Sequence, residues 1–161
     1  MSSTKFAVVY DTFLSKITDD MYMELTIDDT RAMLEELLMS SLHWFEFPRV
    51  NIFDYDKEIR EFNVNLSNEE INIIATYMIV EWIGQQLASV ENTRMKYSGS
   101  DFKFTSQANH LAKLQNLKEK YTAEGFHLQR LYKRRKADKN GIMRSTISSI
   151  MYPDTEYYNG N

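Results

Sequence analysis

The sequence predicts a mainly α fold: a small bundle of about four helices with an extended C-terminal arm able to form a short β-hairpin. Three observations predict it. Ser67-x-x-Glu70 is a capping-box signature, and it opens the long apolar run IIATYMIVEWI. Leu34, Leu37, Leu38, Ser41 and Phe45 recur at helical spacing after the helix-start pattern T-I-D-D. Past Lys136 the helical pattern stops, and Asn140-Gly141 gives a strong turn signal beside the alternating IMRSTISSIMY.

The first helix is short, from about Val8 to Ile17, with Phe13, Leu14 and Ile17 on one side. The second starts where Thr26 or Asp28 can cap it and where Asp28 and Asp29 suit the positive end of the helix dipole. It continues to about Phe45, and Pro48 stops it. Asn51–Asn65 alternates aromatic and acidic residues without a clean period. It reads as a loop with one helical turn around Lys57–Phe62, whose Phe62 and Val64 dock on the core.

The third helix follows Ser67. Ile71, Ile74, Ala75, Met78, Trp82 and Ile83 share one face, and Ile73, Tyr77 and Val80 widen it well beyond a usual amphipathic stripe. Asn92–Thr105 reads as a loop, with a short extended piece where Phe102 and Phe104 flank Lys103. The fourth helix runs from Ser106 to about Lys136, buried through Leu111, Leu114, Leu117, Tyr121, Leu128, Leu131 and Tyr132. Gly125 is expected to bend or split it. The chain thus divides into a bundle domain, residues 1–136, and an arm, residues 137–161.

A chain of 161 residues fits one domain. The absence of cysteine excludes disulfides, thiolate nucleophiles and cysteine-based metal sites. The N-terminus lacks the apolar stretch of a signal peptide, and no run approaches the ~18 uninterrupted apolar residues of a membrane span. The expectation is a protein made in a cytoplasm, with no membrane contact.

The motifs of catalysis are missing. His43, His110 and His127 are far apart and lack zinc-protease spacing; His43, beside Trp44 and Phe45, reads as a packed or capping histidine. There is no P-loop, no dinucleotide-binding glycine pattern and no nucleophile elbow. Asp19-Asp20, Asp28-Asp29 and the pair Asp54 and Asp56 are better explained as helix-start and loop acids than as a cation site, since no calcium-loop pattern surrounds them. No catalytic residue, metal or cofactor is expected.

Charge is distributed unevenly. Residues 1–101 hold 8 Lys+Arg against 18 Asp+Glu, whereas residues 102–161 hold 11 against 5. Such asymmetry suits head-to-tail contact between copies or a basic face turned to a polyanion, and equally a solvated helix face. Lys133, Arg134, Arg135 and Lys136 concentrate the positive charge where the helix dipole favours it. They are candidates for contact with DNA phosphates or with an acidic partner. No helix-turn-helix or other recognition module surrounds them.

Four features together resemble the neck proteins of tailed bacteriophages, known as head–tail connectors, adaptors or head-completion proteins. These are DTFLSKI near the start, REFNVNLSNEEINIIATYMIVEWI, SGSDFKFTSQANHLAKLQNLKEKY, and the chain length. The resemblance implies a helical subunit that assembles, usually twelve-fold, into a ring beneath the portal protein. Such a ring extends the channel for packaged DNA within the virion neck and docks the next neck or tail component. It also implies an arm inserted against the portal. Residues 133–139 and 142–161 match that arm in position and character. Ile142, Met143, Ile147, Ile150, Met151, Tyr152, Tyr157 and Tyr158 become its candidate contacts to the portal or a neighbouring copy. The competing reading is a non-enzymatic helical binding module, such as a phage-encoded protein that binds a host factor.

Overall fold

A computed structural model describes residues 3–17, 27–96, 104–137 and 142–147. In chain order its elements are β1 (Thr4–Lys5), α1 (Phe6–Lys16), α2 (Ile27–Leu42), β2 (Tyr55–Asp56), β3 (Glu61–Phe62), α3 (Asn68–Lys96), α4 (Phe104–Arg134), β4 (Arg135–Ala137) and β5 (Met143–Ser145). The mainly α architecture and the four helices agree with the sequence reading.

The reciprocal cap at the start of α3 is present. The Ser67 backbone N–H and hydroxyl donate to Glu70 Oε2 at 2.7 and 2.9 Å, and the Glu70 N–H returns a bond to Ser67 Oγ at 3.3 Å. From this start α3 runs through the middle of the bundle and packs against α1, α2 and α4. Every residue from Ile73 to Val80 is buried. The all-round apolar surface is therefore covered by the chain's own helices and is no argument for a partner. The Thr76 hydroxyl within it donates to the Asn72 carbonyl at 2.8 Å.

The leucine stripe of α2 points inward as expected, with Leu34, Leu37, Leu38, Ser41 and Phe45 all buried. The helix closes slightly earlier than predicted. Trp44 and Phe45 N–H groups donate three residues back, to Ser41 and Leu42 at 3.1 and 3.3 Å, which tightens the chain ahead of Pro48. Of the start signals, Thr26 lies outside the described residues.

Four boundaries differ from the expectation. α1 begins at Phe6, and its buried residues are Phe6, Val9 and Phe13; Val8 is exposed, and Leu14 and Ile17 are half-buried. Phe6 sits edge-on to Phe62 with ring centroids 4.9 Å apart, so the helix is drawn back to the strand that precedes it. Second, Lys57–Phe62 is no helical turn. β3 pairs antiparallel with both β1 and β2, in the order β1-β3-β2, with Tyr55 opposite Phe62 and Asp56 opposite Glu61. Asp56 Oδ1 accepts from the Glu58 and Ile59 N–H groups at 2.8 and 3.3 Å, and Arg60 completes the turn in the left-handed region at φ 56°. The acids that looked like a potential cation pair thus shape this loop, since Asp54 Oδ1 also accepts from Asn63 Nδ2 at 2.7 Å.

Third, α3 continues through Asn92 to Lys96 and α4 already includes Phe104, which is helical rather than extended; the rest of the expected loop, with Phe102 and Lys103, lies outside the described residues. No glycine or proline interrupts ENTRMK, and the small propensity cost of Asn and Thr does not end an established helix. Fourth, α4 ends at Arg134, and Arg135 and Lys136 enter β4. Gly125 does not split α4, which is continuous through it.

Candidate functional site

The arm leaves the bundle from a polar knot at the end of α4. Tyr132, 2% exposed, donates its hydroxyl to Glu70 Oε1 at 2.5 Å and accepts from the Arg49 backbone N–H at 2.8 Å. The Arg49 guanidinium lies 3.8 Å over the Tyr132 ring, donates to the Tyr132 carbonyl and to that of Arg135, and approaches Glu69 at 3.7 Å. Burial, reinforced by the bond to Glu70, pushes the Tyr132 phenol well above its ordinary pKa. One turn earlier, Gln129 donates to the Tyr77 hydroxyl at 2.6 Å and to the Trp44 carbonyl at 3.0 Å, and accepts from the Glu46 N–H at 2.9 Å. The C-terminal end of α4 is therefore bonded both to α3 and to the segment after α2.

Beyond this knot the chain enters a two-stranded sheet. β4 pairs antiparallel with β5, placing Arg135 opposite Ser145, Lys136 opposite Arg144 and Ala137 opposite Met143. The hairpin expected in the arm is present in these residues. Ile142, Met143 and Ile147 are 53%, 41% and 59% exposed, a dense apolar display for so short a segment. Ile150, Met151, Tyr152, Tyr157 and Tyr158 lie outside the described residues.

The four cations of the basic cluster do not act alike. Lys133 reaches Glu46 at 3.3 Å and lies 3.8 Å over the exposed Phe47 ring. Arg135 Nε donates to the Leu131 carbonyl at 3.4 Å. Arg134 and Lys136 are exposed. The structure thus holds two of the four in local contacts and separates the cluster between a helix end and a strand.

A second surface, which the sequence did not disclose, lies between α1, α2 and the β2–β3 turn. Two adjoining clefts of about 440 and 600 Å³ share Arg31 and Arg60. The smaller has an apolar wall of Phe6, Tyr10, Leu34 and the exposed Ile59. Around the pair stand Lys5, Arg31, Lys57 and Arg60, against Glu35 and Glu36. Arg60 and Glu35 approach at 3.6 Å. The Tyr10 hydroxyl is buried without a hydrogen-bond partner among the described residues. Burial, aided by Glu35 and opposed by Arg60, pushes its pKa up to about 12. Arg60 comes here through a left-handed turn and Arg31 from an unremarkable helical position, so neither had a linear signature.

The histidines are not brought together: no group of three metal-ligating side chains forms among the described residues, and His43 is exposed beside the Phe53 ring at 5.5 Å. No described helix is long and apolar enough to cross a membrane. No family model, curated protein or solved structure matches the chain.

Proposed function

We propose that this protein is a structural component of a tailed-phage virion neck, a head–tail connector that forms a ring beneath the portal. The observation that carries the reading is the projecting β4–β5 hairpin, whose apolar Ile142, Met143 and Ile147 stand exposed on a stem bonded to the bundle. A monomer gains nothing from ordering such a surface into water; a partner that covers it recovers the burial energy. The bundle then acts as a rigid body and the arm as its attachment. The resemblance of DTFLSKI, the α3 segment and SGSDFKFTSQANHLAKLQNLKEKY to neck proteins names the partners: other copies, the portal protein, and the next neck or tail component.

In a ring, the uneven charge suits heterologous contact, in which an acidic part of one copy faces a basic part of the next. Arg134 and Lys136 are the members of the basic cluster best placed to face packaged DNA or an acidic neighbour. The reading assigns no catalysis and no cofactor.

Native mass spectrometry with negative-stain imaging, with and without purified portal, tests the proposal. A discrete large oligomer, alone or on the portal, is expected. A chain that stays monomeric and ignores the portal rejects the connector and leaves a host-factor binding module as the better description.

A further inference from the structure

We infer that the cleft between α1, α2 and the β2–β3 turn receives the segment Tyr152–Tyr158 of a second copy of this chain. The inference specifies the contact between copies and rests on the ring reading above.

The cleft calls for an occupant that is both apolar and anionic. Its floor offers Phe6, Tyr10 and Leu34, and Ile59 stands 63% exposed at its edge. A volume of about 440 Å³ falls within the range of sites that enclose large side chains. Cations outnumber acids around it. Arg60 is committed to Glu35, whereas Lys5, Arg31 and Lys57 form no ion pair among the described residues. A partner carrying carboxylates beside aromatic rings would satisfy both properties.

Two stretches outside the described residues pair carboxylates with aromatic rings and lack lysine and arginine: residues 18–26, with a single tyrosine, and residues 152–158, with three. YPDTEYY, residues 152–158, has three tyrosines, Asp154 and Glu156, and neither lysine nor arginine. Its aromatic rings suit the apolar floor and its two carboxylates suit the surplus cations. Tyr157 lies ten residues past Ile147, a span of up to about 35 Å beyond the described hairpin.

The hairpin favours a second copy over the segment's own cleft. β4 packs on the end of α4 and on β5, while Met143, Arg144 and Ser145 are all exposed, so the described end of the arm lies at the surface beside α4. The cleft, in contrast, belongs to α1, α2 and the β2–β3 turn. A segment from one face and a receptor on another make a heterologous contact, which repeats from copy to copy until a ring closes.

The test places a photoreactive benzoylphenylalanine at Tyr157 in the full chain, mixes ¹⁴N- and ¹⁵N-labelled protein, and maps cross-links by mass spectrometry. Cross-links joining the two isotopic species at Lys5–Tyr10, Arg31–Leu34 or Lys57–Arg60 are expected. Arg31→Glu with Lys57→Glu, both at exposed positions, should cut their yield roughly tenfold, and adding Asp154→Lys with Glu156→Lys should restore it. Circular dichroism verifies that each variant is folded. Cross-links confined to single chains, directed elsewhere, or indifferent to the charge reversal overturn the assignment. If rings persist in native mass spectra while the cross-links miss the cleft, only this contact fails. If the wild-type chain is monomeric with and without portal, the ring reading fails as well.

Discussion

Tyr132 and Tyr10 carry the same phenol into the same bundle under different hydrogen-bonding terms. Tyr132 bonds to Glu70 and to the Arg49 backbone, so its burial is compensated on both sides. Tyr10 has no such partner among the described residues, and its pKa rises from the ordinary 10.0 to about 12, chiefly through burial. The sign of the consequence follows from proton binding. Above about pH 10 the unfolded chain releases the phenolic proton while the folded chain retains it, so the folded state binds more protons and stability falls as pH rises. Nothing is lost below the unfolded pKa. Tyr10→Phe is therefore expected to lose less stability than wild type between about pH 10 and 12, read from urea midpoints across that range. Equal losses in the two proteins would show that Tyr10 already ionises near its ordinary pKa. The substitution also removes the unpartnered hydroxyl, so stability at neutral pH should not fall.

Between helices, Gly125 of α4 marks a close approach to Tyr77 of α3. A Cβ added there would lie 2.7 Å from Tyr77 Cζ and 3.0 Å from its hydroxyl oxygen. Tyr77 has little room to withdraw, being fully buried, stacked on Trp44 at 5.4 Å and bonded to Gln129 at 2.6 Å. Gly125→Ala should therefore destabilise by about 1–3 kcal/mol in chemical denaturation, despite alanine's better helix propensity. Gly84 in α3 provides the control: its added Cβ would meet only the flexible end of Lys118, at 3.5 Å. Gly84→Ala is expected to be neutral or stabilising by up to about 1 kcal/mol. The sequence marked Gly125 as a break because a glycine inside a helical pattern looks like one; its reason lies on another helix. Legibility followed the range of the cause. The Ser67–Glu70 cap, the α2 stripe and the hairpin are local patterns, and all were readable. The β1-β3-β2 sheet was not, because two-residue strands are too short to display a period of two and depend on Phe6 meeting Phe62. The cleft was hidden for the same reason: Lys5, Arg31 and Arg60 are distant in sequence and meet only in the folded chain.

At the scale of the whole molecule, the bundle covers its apolar residues and the described part of the arm does not. Core residues from α1, α2, α3 and α4 cover one another, and even the widest apolar surface, that of α3, is covered within the chain. The arm's Ile142, Met143 and Ile147 remain exposed. The two parts should accordingly be separable. Deleting Ile142–Asn161 removes β5 and the acidic aromatic segment but leaves the Tyr132–Glu70 bond, the Gln129 contacts and the Arg49 interactions that bind α4 to the bundle. The truncated chain is expected to keep its helical circular dichroism and its urea midpoint while losing ring formation and attachment to the portal. If the truncated chain unfolds instead, the arm contributes to the core and the division fails. If it folds and still assembles, the bundle alone carries the copy-to-copy contact, and the arm's exposed apolar residues serve another partner. A folded chain that no longer assembles would place the burial energy missing from the monomer in contacts made by the deleted segment.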